Sequence, residues 1–301
     1  MSGLHVPLVT PFDERGAVDL GALERLAEEV LADGADGLVA LATTAEASSL
    51  DERERDAVLA ACARVAAERG AALIVGAGTN DTRTTIARHE ALAEVEGVTA
   101  SLAVVPYYVR PSEAAIVAHF QAVAARSPVP VVLYNIPYRT GRGLGAAALL
   151  ELAGTDDIVG VKQAVSALDA DTLQLLASAP PDFAVLCGDD PFILPLLLMG
   201  ARGAIAASAH LCTERFAALV AAAAEGRLDE ARAHAEALLQ LVLALFAEPS
   251  PAVLKAMLHE AGRIATPAVR MPLQAASPAA LERARRSAPS RWSARDPARA
   301  R

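Results

Sequence analysis

Eight short apolar runs alternate with amphipathic segments along the chain, and this alternation constrains the fold more than any other feature. Segments between the runs, such as 20–32, 51–69, 83–95 and 112–125, carry apolar residues at helical spacing with charge on the opposite face. We therefore expect eight strands connected by crossover helices. The runs are, in chain order, "LHVPLVTPF", "GLVALATT", "ALIVGAG", "ASLAVVPYY", "PVVLYNIP", "DIVGVKQA", "FAVLCGDD" and "GAIAAS".

This pattern predicts an α/β fold, a closed parallel (β/α)8 TIM barrel. Each parallel connection needs a crossover helix, and closure removes the edge strands that an open sheet would expose. An open doubly wound sheet is the alternative, but such a sheet normally carries a glycine-rich dinucleotide loop after its first strand. The first run here continues instead as "LVTPFDERG". The sequence therefore favours the barrel.

Helical segments continue beyond the eighth run, near 214–224, 228–246 and 251–261, which is more helix than a barrel alone requires. We expect the barrel to occupy residues 1–212, and the last barrel helix with a C-terminal helical bundle to occupy 213–282. Residues 283–301 include "RRSAPSRWSARDPARAR", which has no apolar periodicity and predicts a disordered tail. A basic tail that binds nucleic acid is the alternative, although the net charge of −9 argues against a nucleic-acid partner for the chain.

Composition and spacing argue against several other classes of protein. Cys62, Cys187 and Cys212 are odd in number and widely spaced, which indicates neither a disulfide framework nor a zinc site and favours the reducing cytoplasm. No apolar run is long enough to span a bilayer, so we expect no membrane partner. The histidines lack metal-binding spacing, and "GRGLG" at 141–145 is interpreted as a helix entry, so we expect neither a metal nor a nucleotide.

Lys162 is the most informative candidate residue, because active sites of such barrels lie at the C-terminal ends of the strands. Strand alternation places Gly160, Lys162 and Ala164 on the inner face, and the valines of this run on the face towards the helices. Burial lowers the pKa of a lysine and makes its amine a nucleophile towards carbonyl groups. A structural lysine paired with a carboxylate such as Asp189 is the alternative.

Two further groups could reach the same interior. Tyr134 has inward parity one strand earlier, so its phenol could move protons during imine formation, or it could be a core tyrosine bonded to a backbone carbonyl. Thr44 shares a strand face with Ala42 while Thr43 lies on the other face, so both hydroxyls reach the interior only if the strand bends there. Glu46 is expected to brace this turn through backbone N–H groups.

Eight motifs in chain order support a resemblance over about residues 4–273: "LVTPF", "TTAE", "GAGTN", "VPYYVRP", "YNIPYRTG", "GVKQA", "GDD" and "EPSPAVLK". With these motifs the chain resembles the dihydrodipicolinate synthase and N-acetylneuraminate lyase superfamily, the pyruvate-dependent class I aldolases. The resemblance implies a lyase that needs no cofactor because pyruvate is held as a covalent imine on a lysine. It also implies a homotetramer, a dimer of tight dimers, and pyruvate and a small aldehyde as partners.

The resemblance also implies roles for individual residues. Lys162 matches the lysine that forms the Schiff base with pyruvate, and Tyr134 matches the tyrosine that shuttles protons to the imine and enamine. Thr43 and Tyr108 match the rest of a hydroxyl relay, in which the second tyrosine of "YY" is contributed across the tight dimer interface. Thr44 matches the group that holds the pyruvate carboxylate.

Two residues bear on the second substrate. Ile205 is expected in the substrate-binding pocket, and Arg139 matches the arginine that binds the carboxylate of the incoming aldehyde. Arg139 favours the 4-hydroxy-tetrahydrodipicolinate synthases, which condense pyruvate with L-aspartate semialdehyde in lysine and diaminopimelate biosynthesis. The alternatives are a paralogous lyase for another 2-keto acid, of the 2-keto-3-deoxy sugar acid or N-acetylneuraminate type, and a non-catalytic barrel that binds a keto acid.

Some positions depart from the usual synthase pattern Gly-Thr-Thr-Gly-Glu-Ser. Ala42, Ala45 and Ala47 replace the two glycines and the serine, and alanine at 45 would be strained if the loop needs a positive φ there. Gln163 replaces a glutamate that commonly follows the lysine, which we expect to remove a charge beside the site. Ala47 and Arg55 stand where lysine-regulated relatives tend to carry Ser and His, so feedback by lysine is not expected.

Overall fold

The computed structural model describes residues 1–288, and a closed barrel of eight parallel strands, β1 to β8 in sequential order, forms its centre. β1 pairs with both β2 and β8, and these pairings close the sheet. The (β/α)8 barrel predicted from the alternation of apolar runs is therefore confirmed. The strands β1 to β8 are, in order, Gly3–Pro7, Gly37–Ala40, Ala72–Gly76, Val98–Val104, Val131–Asn135, Ile158–Gln163, Ala184–Cys187 and Gly203–Ile205.

Twelve α-helices lie within residues 1–288, and those up to α9 surround the barrel while α10 to α12 form a C-terminal extension. The helices α1 to α12 are, in order, Leu20–Ala32, Glu52–Arg69, Thr82–Glu90, Glu113–Ala124, Pro137–Thr140, Ala146–Ala153, Ala170–Ser178, Ile193–Leu198, Ala209–Ala224, Leu228–Leu245, Ala252–Glu260 and Pro278–Ser287.

Local capping residues determine where several of the crossover helices begin. The Asp19 carboxylate accepts the backbone N–H of Ala22 at the start of α1. Asp51 and Glu54 form a reciprocal capping box at the start of α2, in which each side chain accepts the backbone N–H of the other residue. Each such contact satisfies a backbone donor that the first helical turn would otherwise leave unpaired. The charged stretch after β2 is thus a helix start.

The core has an inner and an outer layer. Inside the barrel, Val39, Ile74, Val132 and Leu186 belong to one buried cluster that reaches Tyr134. Outside it, strand residues that face the opposite way pack on the crossover helices, as Val161 does in a separate cluster. The strands are therefore apolar on both faces, as expected for a parallel sheet covered by helices.

The C-terminal extension packs directly on the barrel. Leu241 of α10 and Leu258 of α11 share a buried cluster with Val9 and with Leu26 of α1. α9 begins at Ala209, so the boundary expected after residue 212 falls inside this helix, where Cys212 has a non-helical backbone. Within residues 1–288 the structure contains no helix that is both long and apolar enough to cross a membrane.

The disordered tail expected for residues 283–301 is wrong for its first part. Residues 283–287 belong to α12, which begins with a Ser277 side chain that accepts the backbone N–H of Ala280. Ala280 and Ala284 are buried against the extension, so small apolar residues one turn apart hold this arginine-rich helix in place. Residues 289–301 of the expected tail lie outside the described part of the chain.

Candidate active site

Lys162 lies inside the barrel, near the carboxyl end of β6. The parallel register pairs it with Tyr134 of β5 on one side and with Leu186 of β7 on the other. Its side chain is 5% exposed, and its Nζ atom lies 4.4 Å from the centroid of the Tyr134 ring. The inward parity predicted for both residues therefore agrees with their observed positions.

The space around Lys162 differs from the sequence-based expectation. A Cβ atom at Gly188 would lie 2.8 Å from Cγ of Lys162, so Gly188 leaves room for the lysine. Gly160, which the sequence places on the same inner face, does not provide this room, because a Cβ there would meet the backbone carbonyl of Ala184 at 2.4 Å. The valines of β6 also do not all face the helices, because a register shift in the β5·β6 pairing brings Val159 against the cluster inside the barrel.

The burial of Lys162 increases the neutral fraction of its amine. Burial lowers the pKa of Lys162 to about 8, and the charges of Asp190 and Asp189 oppose this decrease. Each carboxylate is held by a neighbouring loop: Asp189 accepts the N–H of Ser166 at 2.5 Å, and Asp190 accepts the N–H of Ser208 at 2.7 Å. The aspartates thus act on Lys162 through their charge. The alternative that the sequence left open, a structural lysine paired with a carboxylate, is not favoured by this geometry.

The turn after β2 brings both threonines to the site. β2 ends at Ala40, Leu41 adopts a left-handed backbone with φ of 55°, and Thr43–Ala45 form a 3₁₀ turn. This bend removes the strict strand alternation that would have put Thr43 and Thr44 on opposite faces. Burial raises the pKa of Tyr134, and the charge of Arg139 and the nearby Thr43 hydroxyl partly offset this increase.

Ala45 and Gln163 do not have the consequences expected from the sequence. The left-handed residues that flank the turn are Leu41 and Glu46, and Ala45 does not have a positive φ, so its methyl group causes no backbone strain. Gln163 is buried away from the amine, accepting from the Asn135 amide and donating to the Thr172 hydroxyl, both at 3.0 Å. A neutral amide suits this hydrogen-bonded position.

A cavity of about 480 Å³ opens above Lys162 at the C-terminal end of the barrel. It brings together six of the seven residues that the sequence assigned to the site: Thr43, Thr44, Tyr134, Arg139, Lys162 and Ile205. The seventh, Tyr108, lies elsewhere, with 87% of its surface exposed and a left-handed backbone. Its predicted role therefore depends on the second subunit that the resemblance implies.

Sequence reasoning missed some of the cavity wall. Tyr138 lines it, and the Tyr138 hydroxyl accepts a hydrogen bond of 3.1 Å from Nε of Arg139, which orients the guanidinium. Residues 246–250, between α10 and α11, line the opposite side. The motif "EPSPAVLK" covers part of this segment, but no local pattern indicates that the C-terminal extension returns to the barrel mouth.

Sequence reasoning also missed Lys255, which pairs with Glu46 at 2.8 Å. Glu46 was expected to bond to several backbone N–H groups, but it accepts only one that the structure shows, from Arg270. A compositional signal was present: the chain has only two lysines, Lys162 and Lys255, and all its other strongly basic residues are arginines. Both lysines are buried.

Within residues 1–288, no group of three or more His, Cys, Asp and Glu side chains could hold a metal ion. The expectation that the site works without a metal or other cofactor stays a prediction, which rests on the amine of Lys162 as the reactive group.

Known proteins resemble this chain over nearly its whole length. The chain is 41% identical over 270 residues to a 4-hydroxy-tetrahydrodipicolinate synthase of Moorella thermoacetica, covering 90% of this chain and 91% of the relative. It is 37% identical over 279 residues to the synthase of the same name from Synechocystis, covering 92% and 91%.

Solved structures agree with this likeness. The 4-hydroxy-tetrahydrodipicolinate synthase from Methylacidiphilum fumariolicum superimposes with a TM-score of 0.91 at 32% identity, covering 95% of this chain and 94% of that chain. The chloride-inhibited dihydrodipicolinate synthase from Acinetobacter baumannii, complexed with pyruvate, has a TM-score of 0.91 at 33% identity, with coverages of 95% and 97%. The Dihydrodipicolinate synthetase family matches residues 1–288, and the chain therefore belongs to this family.

Proposed function

We propose that this chain is a 4-hydroxy-tetrahydrodipicolinate synthase, a lyase that condenses pyruvate with L-aspartate semialdehyde through a Schiff base on Lys162. The names of its relatives support this activity at 36–41% identity. The observation that carries the proposal is the Lys162 amine, buried beside the Tyr134 ring in a cavity of about 480 Å³ with a pKa lowered to about 8.

The chemistry follows from an uncharged amine beside a phenol. Neutral Lys162 adds to the ketone carbon of pyruvate, and loss of water gives a protonated imine. The imine draws electrons from the neighbouring methyl group, which loses a proton to give an enamine, and the enamine carbon attacks the aldehyde. Tyr134, kept protonated by burial, donates and recovers protons, and the Thr43 hydroxyl in the same cavity is the next group of the relay. The protonated imine formed on Lys162 serves as the electron sink, so the proposed reaction needs no cofactor.

Two groups on the cavity wall suit the carboxylates of the two substrates. Thr44, at the strained turn, offers a hydroxyl and a backbone N–H to the pyruvate carboxylate. Arg139 offers a planar guanidinium, oriented by Tyr138, to the carboxylate of the aldehyde. In a chain with a net charge of −9, such a local cation is what allows an anionic substrate to bind.

Borohydride reduction in the presence of pyruvate tests the imine. We expect a pyruvate-derived mass on the peptide that contains Lys162 and none on the peptide that contains Lys255, which is the matched control because it is the chain's other lysine. An unmodified Lys162 would rule out every Schiff-base activity, including the paralogous lyases, and would favour a non-catalytic barrel.

A substrate panel then tests the aldehyde. We expect consumption of L-aspartate semialdehyde with pyruvate, and no cleavage of N-acetylneuraminate or 2-keto-3-deoxy sugar acids. Arg139→Ala should raise KM for the semialdehyde while leaving pyruvate trapping at Lys162 intact. Turnover of a sugar acid but not of aspartate semialdehyde would replace the proposed substrate with that of a lyase.

A further inference from the structure

A fully buried ion pair lies beside the candidate site and has no part in the mechanism given above. Oε1 of Glu46 lies 2.8 Å from Nζ of Lys255, and the two side chains are 1% and 0% exposed. Removing two charges from water costs free energy that their attraction regains only in favourable geometry, so such a pair is weak evidence for a purely stabilising role. A role in the neighbouring site would explain why a buried ion pair lies at this position.

The remaining hydrogen bonds of the pair reach two further segments of the chain. Lys255 donates to the carbonyl of Thr10 at 2.8 Å, and its Nζ lies 4.0 Å from the centroid of the Phe12 ring. Oε2 of Glu46 accepts the backbone N–H of Arg270 at 2.7 Å. The pair thus joins the loop after β1, the turn after β2 and the C-terminal extension at one point.

The turn that Glu46 ends is held in an unfavourable conformation. Leu41 and Glu46 both have left-handed backbones, with φ of 55° and 53°, which non-glycine residues keep only where their surroundings impose it. Thr10 adds a second restraint, since its hydroxyl donates to the carbonyl of Ala45 at 2.7 Å. Both restraints therefore act on the Thr43–Ala45 turn, which contains the two threonines of the site.

We propose that the Glu46–Lys255 pair is a positioning device that holds the Thr43–Ala45 turn in the conformation needed for pyruvate binding. The pair keeps Thr43 and Thr44 at the cavity wall that Tyr134 also lines, and it makes the C-terminal extension part of the site. This inference rests on the proposed function, because it assigns the turn to the pyruvate carboxylate. Neither Glu46 nor Lys255 lines the cavity, so both act through the threonines.

The test is the double substitution Glu46→Gln with Lys255→Met. Glutamine keeps an acceptor for the Arg270 N–H, methionine has nearly the length of lysine, and removal of both charges leaves no lone buried ion. We expect the variant to fold, with a melting temperature within about 5 °C of the wild type. The pyruvate concentration that half-saturates borohydride trapping at Lys162 should rise about tenfold or more, because a small displacement of the turn misplaces the carboxylate site.

A matched control removes another ion pair from the same extension. Arg285 of α12 donates from Nε to both carboxylate oxygens of Glu260 in α11, at 3.0 and 2.8 Å, and neither residue contacts the turn. Glu260→Gln with Arg285→Met should therefore leave the half-saturating pyruvate concentration unchanged. An equal rise in both double variants would mean that any weakening of the extension has this effect, and it would overturn the proposal.

A second variant decides the matter if the first does not fold. Lys255→Met alone removes the ion pair and the link to the Thr10 carbonyl while leaving the Glu46 acceptor for the Arg270 N–H in place, so it should also raise the half-saturating pyruvate concentration. An unchanged value in a folded Glu46→Gln, Lys255→Met protein, or in Lys255→Met when the double variant does not fold, would overturn the inference. Failure to trap pyruvate in the wild type would instead reject the proposed function.

Discussion

At the scale of the residue, the two lysines show how surroundings give one side chain two roles. Lys255 meets a carboxylate at 2.8 Å and is fully paired. The Nζ atom of Lys162 lies 4.4 Å from the centroid of the Tyr134 ring, and the charges of two aspartates raise its pKa. Strand parity predicted the position of Lys162, because alternation is a local property of the chain. The pairing of Lys255 depends on residues far away in sequence and could not be predicted in this way.

The lowered pKa of Lys162 predicts a pH dependence of imine formation. With a pKa of about 8, roughly one amine in ten is neutral at pH 7, against roughly one in three thousand for an ordinary lysine. The rate of pyruvate trapping should rise with pH, reach half of its maximum near pH 8 and level off about one pH unit above that, because the neutral amine is the nucleophile. Rapid-quench borohydride trapping from pH 6 to 10 measures this profile.

Asp190→Asn provides the control for that profile. Among the groups whose charge raises the pKa of Lys162, Asp190 has the largest effect, and asparagine can still accept the Ser208 N–H. Its removal should lower the pKa of the amine and move the plateau to a lower pH. A rate that keeps rising to pH 10 in the wild type would show that the amine is not perturbed as described.

Tyr134→Phe tests the proton-transfer role. The ring would keep its contact with Lys162, while the hydroxyl that transfers protons would be lost. We expect kcat to fall about 100-fold or more, since positioned proton transfer contributes that much, with little change in melting temperature. The matched control is Tyr138→Phe, whose hydroxyl contacts Arg139, and it should mainly raise KM for the aldehyde. Equal losses of kcat in both variants would contradict the assignment.

At the scale of the element, the ends of β2 and β3 shape the site. The carbonyl of Leu41 approaches Gly76 so closely that a Cβ on Gly76 would lie 2.2 Å from its oxygen. The sequence predicted both strands, but it placed the threonines in the second strand run, whereas the strand ends at Ala40. The bend depends on this contact between neighbouring strands, so the pattern of one strand cannot reveal it.

Gly76→Ala should therefore affect both stability and binding. The clash is with backbone atoms, which cannot move aside as the tip of a side chain can, and we expect a loss of about 1–3 kcal/mol in the free energy of unfolding. Urea denaturation measures this loss, and pyruvate trapping should weaken as well. Gly21→Ala in α1 is the control: the nearest atom there is the tip of Arg25 at 3.4 Å, so stability should stay unchanged or rise by about 0.5–1 kcal/mol. Equal stability of the two variants would contradict the close approach.

At the scale of the whole molecule, barrel closure brings residues from distant parts of the chain to one mouth, and the extension completes the wall. One surface segment stays exposed in the single chain: Tyr107, Tyr108 and Val109 are 39%, 87% and 57% exposed. Contiguous exposed apolar residues of this kind are typical of interaction sites. We expect this segment to contact a second subunit of a homotetramer, with Tyr108 completing the partner's relay.

Subunit mixing tests that expectation. Tyr108→Phe and Lys162→Met should each be nearly inactive alone, because one lacks the relay hydroxyl and the other the nucleophile. If Tyr108 acts across a two-fold interface, each mixed dimer has one intact site, and random mixing should restore about a quarter of the wild-type activity. Sedimentation reports the oligomeric state in parallel. No recovery in a mixed oligomer, or full activity in a monomer, would contradict the shared site.

By itself the sequence determined the eight strands, the crossover helices and the inward parity of Lys162 and Tyr134, because periodicities of 2 and 3.6 residues and capping residues are local properties. Only the tertiary structure decided the bend at Leu41, the role of Gly188 beside Lys162 and the pairing of Glu46 with Lys255, which are 209 residues apart. Contacts of this kind form when the barrel closes and the extension folds back on it, so their partners lie in other elements and no local pattern encodes them.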